Sequence, residues 1–296
     1  MIRVTFWGTR GSIPTPGRAT MKYGGNTSCV GLRAGKEILI FDAGTGIRNL
    51  GLNLLKEFGE KPLTIHLFIS HTHWDHIQGF PFFLPAYNRE SRIHIYGPPG
   101  RDKPFENLFK AQMDSDYFPV DLGDMSPNIE VHEMRTSITL DNLTVDHFYL
   151  NHPALTLGYR VNTGKRKIVY ATDNESYEGS IHASGKRIEK HIDLPMLLDE
   201  RFVDFIRDVD LYIGEAQYTL EEYVKGKKGW GHSPLETTVR FAVEGNVKQL
   251  AMFHHDPQHS DAFVDKMVKH ARSLVKMYGG KAKCYAAREG QTVRFT

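Results

Sequence analysis

Short apolar runs separated by glycine-rich turns mark the beginning of the chain. Apolar and β-branched residues fill the stretches 3–6, 28–33, 37–41 and 63–70, a composition typical of buried β-strands. Between the third and the fourth stretch, apolar residues recur at helical spacing over residues 46–58. The pattern of strands followed by alternating helix and strand favours an α/β fold.

The later part of the chain continues this alternation. Further strands are predicted at 92–96, 129–132, 137–149 and 156–171, the third of them a hairpin that turns at Asp141 and Asn142. Ser233 is placed to cap a helix that starts with proline and carries Glu236 in a capping box, and Gly245 can end it. A last helix is predicted from about 260 to 278, where Gly279 stops it.

Composition describes an ordinary globular chain. Of the 296 residues 40% are hydrophobic and 24% are charged, and the formal net charge is +2. Such a small charge does not favour bulk nucleic-acid binding. The only two cysteines, Cys29 and Cys284, cannot build a disulfide framework. Because no secretory signal and no 18-residue apolar stretch is visible, the sequence predicts a cytoplasmic location without membrane contact.

The densest group of metal-binding side chains comes directly after the strand predicted at 63–70. His71, His73, Asp75 and His76 occupy four of six consecutive positions. Neutral imidazole and carboxylate are ligands that zinc, manganese and iron accept. Three imidazoles and a carboxylate at this spacing therefore predict a divalent metal site.

Four apolar runs end in residues that can bind a metal or transfer a proton. These runs lead to His71, Asp173, Glu215 and His254 with His255. Histidines elsewhere, such as His66, His94 and His132, are interpreted as core or surface residues. Strand ends in packed sheets meet at one edge, where α/β proteins usually place their sites. We therefore expect the residues that follow the four runs to converge.

Several motifs together resemble the metallo-β-lactamase superfamily, and within it the branch of tRNase Z and related phosphodiesterases. In family order the motifs are residues 6–14, 41–46, 71–76, 151–160, 170–173, 215–218, 231–233 and 253–257. The resemblance implies an α/β fold of the αββα sandwich type, with two mixed β-sheets face to face and helices outside. It also implies one domain over residues 1–296, with inserts near 98–128 and 174–208.

The resemblance further implies a binuclear centre with two divalent metal ions. Its ligands would be His71, His73 and His152 for one metal, Asp75, His76 and His254 for the other, and Asp173 as the bridge. His255 competes with His254, but adjacent strand residues face opposite sides, so only one should serve. Zinc is the expected metal, with manganese or iron as alternatives.

The implied chemistry is phosphodiester hydrolysis through attack by a metal-bridged hydroxide. Asp75 is expected to ligate a metal and to orient or deprotonate the attacking water. His232 would protonate the departing oxygen as a general acid, and Glu215 would hold its tautomer. Asp42 is expected to be structural, orienting ligands and backbone.

Small phosphodiesters, above all cyclic nucleotides, are the leading predicted substrates. tRNase Z enzymes commonly carry a long arm between the elements that here hold His152 and Asp173, whereas this chain has only a hairpin there. Candidates for a base-binding wall, or else for core packing, are Trp74, Phe80, Phe82, Phe83, Tyr87 and Trp230. An RNA-processing endonuclease of the tRNase Z type is the alternative, and a thioester or lactone hydrolase a further one. A homodimer is expected from the resemblance alone.

Overall fold

The computed structural model describes residues 1–125, 128–178 and 194–296. The chain divides into two compact units, Met1–Thr136 with Arg288–Thr296 and residues 137–287, and each contains one seven-stranded sheet. The strands are β1 (Ile2–Gly8), β2 (Cys29–Ala34), β3 (Glu37–Phe41), β4 (Thr64–Phe68), β5 (Arg92–Gly97), β6 (Ile129–Glu133), β7 (Ile138–Leu140), β8 (Leu143–Leu150), β9 (Thr156–Asn162), β10 (Lys167–Ala171), β11 (Leu211–Glu215), β12 (Gln249–Phe253), β13 (Lys283–Ala286) and β14 (Thr292–Phe295). The described α-helices are α1 (Gly46–Phe58), α2 (Trp74–Ile77), α3 (Phe105–Lys110), α4 (Leu194–Phe205), α5 (Leu220–Gly226), α6 (Leu235–Glu244) and α7 (Asp261–Met277). None of these described helices is both long and apolar enough to cross a membrane.

The sheet of the first unit has the strand order β14-β1-β2-β3-β4-β5-β6 and is mixed. Strands β3 to β6 pair in parallel, and the pairs from β14 to β3 are antiparallel. Ile40, Leu67 and Ile95 share one apolar core with residues of α1. The parallel register places the carboxyl ends of β3 and β4 side by side, and the N–H of Asp42 donates to the carbonyl of Phe68 at 2.9 Å.

The sheet of the second unit is also mixed, with the order β13-β12-β11-β10-β9-β8-β7. The predicted hairpin at 137–149 is confirmed as β7 and β8. The single stretch predicted at 156–171 is two antiparallel strands instead, because the chain turns at Gly164 with a φ of 76°. Strands β10, β11 and β12 are parallel neighbours, so their carboxyl ends meet at one edge as expected. The single domain predicted for the whole chain stays a prediction.

Two segments predicted as inserts contribute to the cores. In the first unit, Phe105 and Phe109 of α3 are fully buried within the apolar cluster. In the second unit, Phe202 of α4 contacts Phe241 of α6 with ring centroids 5.6 Å apart. Residues 179–193 of the second predicted insert lie outside the described residues. Apolar residues in the described parts of both predicted inserts therefore pack in the cores of the two units.

The start of α6 differs from the prediction. The side-chain oxygen of Ser233 donates to the carbonyl of Asn174 at 2.8 Å and accepts from the N–H of Ser176 at 2.9 Å. Pro234 is the residue that precedes the helix, and no side chain caps its first turn. Ser233 therefore links two loops instead of capping a helix, while the predicted end at Gly245 is confirmed.

The pH dependence of stability should report on His66, a buried residue on the sheet face opposite α1. Burial, followed by the nearby His94 and His132, lowers the pKa of His66 from 6.5 to about 4. Because the unfolded chain protonates this ring more readily, the stability present above pH 6.5 should be lost as the pH falls towards 4. We expect a loss of about 1–2 kcal/mol, the order of magnitude that a pKa shift of this size implies. Urea unfolding between pH 6.5 and 4 should show a smaller decrease in the free energy of unfolding for His66→Gln than for wild type. The same decrease in both proteins would contradict this role of His66.

Candidate active site

The loop after β4 and the short helix α2 carry the four ligands predicted in the first unit. The ring centroid of His71 lies 4.4 Å from that of His73 and 4.2 Å from that of His76. Helix α2 begins directly after His73, which puts Asp75 within 3.2 Å of His76 Nε2. His71, Asp75 and His76 are buried and His73 is exposed. The structure therefore brings these four side chains together.

Asp42, which follows β3, orients the side chains of this group through hydrogen bonds. Its carboxylate accepts hydrogen bonds from the N–H and hydroxyl of Ser70 at 2.7 and 2.8 Å, and from His76 Nδ1 at 2.7 Å. Because Nδ1 of His76 donates, Nε2 keeps its lone pair for a metal. Asp42 has a φ of 58°, a conformation that residues other than glycine rarely adopt. The predicted orienting role of Asp42 is confirmed by these contacts.

Replacing Asp42 by asparagine should weaken metal binding while preserving shape. An amide lacks the negative charge that makes the His76 imidazole a better donor, and such partners are worth about 10–100-fold in metal affinity. Competition with a chromophoric chelator measures this affinity. Asp204→Asn is the matched control, because Asp204 is an exposed partner of Arg207. Equal affinities of the two variants would contradict the role of Asp42.

The second unit gathers the remaining predicted ligands at one edge of its sheet. Asp173 follows β10 and His254 follows β12, with 3.5 Å between Asp173 Oδ2 and His254 Nε2. Donor atoms of His152, Asp173 and His232 lie within 4.8 Å of one another. Both Asp173 and His254 have left-handed backbones, with φ of 59° and 57°. Strained conformations of this kind cluster at functional sites.

Hydrogen bonds to Nδ1 determine which imidazole nitrogen can bind a metal. His152 Nδ1 donates to the carbonyl of Gly231 at 3.1 Å. His254 Nδ1 donates to the side-chain oxygen of Gln217 at 3.0 Å. Since oxygen acceptors occupy Nδ1, Nε2 of each ring carries the lone pair, as in His76. Nitrogen donors prepared in this way, together with carboxylates, fit zinc, manganese or iron.

The neighbouring histidines 254 and 255 point to different partners. His255 directs its Nε2 to the carbonyl of Ala287 at 3.2 Å. His254 directs its Nε2 towards the carboxylate of Asp173. The geometry therefore favours His254 over His255 as the last ligand.

His232 and Glu215 form a buried pair next to Asp173. His232 Nδ1 lies 2.9 Å from Glu215 Oε2 and 3.7 Å from Asp173 Oδ1. Burial raises the pKa of Glu215, and the hydrogen bond from His232 opposes this shift. The other oxygen of Glu215 accepts from the N–H of Ser233. With Nδ1 held in this way, Nε2 of His232 is the nitrogen that can exchange a proton with a substrate.

Glu175 is a residue that the sequence motifs did not reveal. Its buried carboxylate accepts from the N–H groups of Gly229 and Gly231 at 2.8 and 2.9 Å. Gly231 has a φ of 89°, and a Cβ there would lie 2.1 Å from His152 Nδ1. Glu175 thus holds the loop that orients His152 and leads into His232.

Replacing Glu175 by glutamine should slow turnover without removing a ligand. The side-chain amide has one acceptor oxygen fewer, so the N–H groups of Gly229 and Gly231 cannot both keep their partners. Misplacement of His232 should lower kcat by about 10–100-fold at unchanged metal stoichiometry. Glu178→Gln, a change at an exposed neighbour, is the control. Equal kcat values for both variants would show that Glu175 does not position the loop.

The aromatic residues considered for base binding separate into two groups. Phe80 and Phe83 are fully buried in the core of the first unit, so core packing, the alternative left open for them, is confirmed. Trp74 and Trp230 are 78% and 56% exposed. Lys227 Nζ lies 4.0 Å from the ring centroid of Trp230. The exposed ring of Trp230 and the neighbouring cation of Lys227, both in the loop that leads to His232, suit contact with a nucleotide.

Comparison with known proteins decides the family. The profile of the beta-lactamase superfamily domain matches residues 38–255. The chain belongs to the beta-lactamase superfamily. A ribonuclease Z of Pyrococcus furiosus is 28% identical to it over an alignment that covers 88% of each chain. This relative fits the predicted tRNase Z-like branch of the superfamily, and the chain is a metal-dependent hydrolase.

Solved structures agree on the fold of this superfamily member. The metallo-beta-lactamase fold protein YhfI from Bacillus subtilis matches 99% of this chain and 100% of its own with a TM-score of 0.66 at 18% identity. Human tRNase Z, short form, matches 99% of both chains with a TM-score of 0.62 at 21% identity. The predicted metallo-β-lactamase fold class is confirmed.

Proposed function

We propose that this hydrolase is a phosphodiesterase that cleaves RNA in the manner of ribonuclease Z. Similarity to a ribonuclease Z over 88% of both chains carries the proposal. The leading sequence prediction, hydrolysis of cyclic nucleotides, is not confirmed. The predicted alternative, an RNA-processing endonuclease, has the better support.

Two divalent metal ions are part of the proposal. Their ligands are those that the family resemblance implies: His71, His73, Asp75 and His76 from the first unit, and His152, Asp173 and His254 from the second. Hydrogen bonds at Nδ1 that leave Nε2 available support three of these ligands, His76, His152 and His254. When bound, such ions lower the pKa of a shared water and neutralise charge on the phosphate. Zinc is the proposed metal, with manganese and iron as alternatives.

Side chains of the protein supply the remaining chemistry. Asp75 is held by the N–H of Ser12, which donates to its Oδ2 at 2.7 Å, and so has a defined orientation for positioning and deprotonating water. His232 donates a proton from Nε2 to the departing oxygen. Glu215 stabilises the positive charge on His232 before that transfer through the contact at Nδ1.

The loop before His232 supplies a surface for a single RNA strand. Lys228 and Trp230 are exposed, and Lys227 lies between the rings of Trp230 and Tyr218, at 4.0 and 5.2 Å from their centroids. Stacking of a base on an aromatic ring contributes about 1–3 kcal/mol, and lysines attract the backbone phosphates. Both interactions are independent of base sequence.

A small cyclic phosphodiester is the second candidate substrate. Strands β9 and β10 are joined by residues 163–166 alone, so no long arm lies between His152 and Asp173. A chain without this arm has less surface with which to hold a folded tRNA. The same residues would hydrolyse a cyclic nucleotide.

Competing substrates test the proposal. Turnover of a 3′-extended tRNA precursor, 3′,5′-cyclic AMP and 2′,3′-cyclic AMP is measured with zinc or manganese. The proposal predicts the highest kcat/KM for the RNA, and Asp75→Ala as the control should slow turnover of all three substrates by at least about 10²-fold. A higher kcat/KM for a cyclic nucleotide would favour the second candidate. Thioester turnover without phosphodiester turnover would refute both.

A further inference from the structure

A row of imidazole rings lies on the first-unit sheet, on the face opposite α1. His66 of β4 is paired with His94 of β5, and His94 is paired with Glu130 of β6. His132 comes two residues after Glu130 and shares its face, because side chains alternate along a strand. Ring centroids are 5.1 Å apart for His66 and His94, and 5.8 Å apart for His94 and His132. Three imidazoles and a carboxylate are thus neighbours on strands β4, β5 and β6, and β6 is the edge strand of the sheet.

Two of these imidazoles converge on one carboxylate oxygen. Glu130 Oε2 lies 3.1 Å from His94 Nδ1 and 3.4 Å from His132 Nε2. Two donors bound to one tetrahedral zinc at about 2.0–2.1 Å are separated by about 3.3 Å. All three donor atoms lie within 4.8 Å of one another. Small side-chain rotations would therefore place them around one cation.

The three side chains are also accessible. His94, Glu130 and His132 are 22%, 59% and 41% exposed. A cation can reach them without separating strands, and water can complete its coordination. Ring stacking alone does not explain why His94 Nδ1 and His132 Nε2 both point at Oε2 of Glu130.

We propose that His94, Glu130 and His132 bind a divalent cation of the zinc class. This surface site shares no residue with the candidate active site. Imidazole and carboxylate ligands suit zinc, cobalt and nickel better than calcium or magnesium. His66 is not part of the site, because its Nδ1 lies 3.3 Å from the hydroxyl of Tyr96 and its Nε2 lies 3.8 Å from Oε2 of Glu37.

Zinc stoichiometry of the full chain tests the surface site. Wild type and the double variant His94→Gln/His132→Gln are dialysed against the same zinc buffer, and bound metal is counted by mass spectrometry. Wild type should bind one equivalent more than the double variant. His270→Gln is the matched control, because His270 contacts a carboxylate of Glu236 at 2.9 Å with no second imidazole in that ion pair. This control should bind as much zinc as wild type.

A second variant separates loss of the site from loss of the fold. Glu130→Gln removes only the central carboxylate and should weaken binding of the extra equivalent by at least about tenfold. Phosphodiester turnover of both variants should remain at the wild-type level, which makes this test independent of the proposed function. Equal zinc content in wild type and the double variant would overturn the proposal, as would loss of the same equivalent in His270→Gln.

Discussion

Asp75→Ala should lower kcat for phosphodiester hydrolysis by about 10²–10⁴-fold, the range typical of a lost general base. The carboxylate of Asp75 is buried, contacts His76 Nε2 at 3.2 Å and is held by the N–H of Ser12. Alanine removes a proposed metal ligand and the group that orients the attacking water at once. Turnover of the RNA precursor at saturating metal measures the effect.

The control for this prediction is an aspartate outside the site. Asp116→Ala changes an exposed aspartate of the same unit and should leave kcat unchanged. Thermal unfolding of both variants shows whether the fold persists. If Asp75→Ala kept more than about one tenth of wild-type kcat, Asp75 would have no catalytic role.

His232→Ala should produce a loss that depends on the leaving group. A poor leaving group such as a ribose hydroxyl needs a proton as the bond breaks, so its hydrolysis should slow by about 10²–10⁴-fold. An activated aryl ester leaves as a stable phenolate and should lose little. The contact of His232 with Glu215 at 2.9 Å is what prepares the ring for this transfer.

Comparison of the two substrates removes the effects of folding and metal loss. Misfolding or loss of metal would lower turnover of the RNA and of the aryl ester alike. Loss of a general acid would slow mainly hydrolysis of the RNA. His270→Ala, at an exposed histidine, should change neither. Equal losses on both substrates would exclude His232 as the general acid.

Strand ends made much of the candidate site predictable from the sequence. Apolar runs terminating in Asp173, Glu215 and His254 indicated functional residues at one sheet edge, and the parallel pairing of β10 to β12 produces that convergence. The last helix was equally clear, because Ser260 caps α7 and Gly279 follows it with a φ of 70°. In these cases the signal is local and no distant contact competes with it.

Contacts between distant positions were not predictable. Glu175 bonds to Gly229 and Gly231, more than fifty residues away, and sequence spacing carries no trace of this. The sequence around Ser233 predicted a helix cap, but the Ser233 hydroxyl donates a hydrogen bond to the buried carbonyl of Asn174 instead. A buried polar group without a partner costs more than an uncapped helix, so the tertiary contact prevails.

Left-handed backbones at the site were also beyond the sequence. Local preference would place glycine at such positions, yet Asp42, Asp173 and His254 all have positive φ. Hydrogen bonds such as that between Asp42 and His76 hold one of these residues in place. Strain of this kind persists only where the surrounding structure over-determines it.

Metal-dependent cleavage of RNA is the most direct test of the proposed activity. The wild-type chain is stripped with a chelator, dialysed and assayed on the 3′-extended tRNA precursor before and after zinc or manganese is restored. We predict no cleavage by the stripped protein and recovery of activity once metal is added back. Undiminished cleavage by verified metal-free protein, or none by the metal-loaded protein, would contradict a metal-dependent ribonuclease.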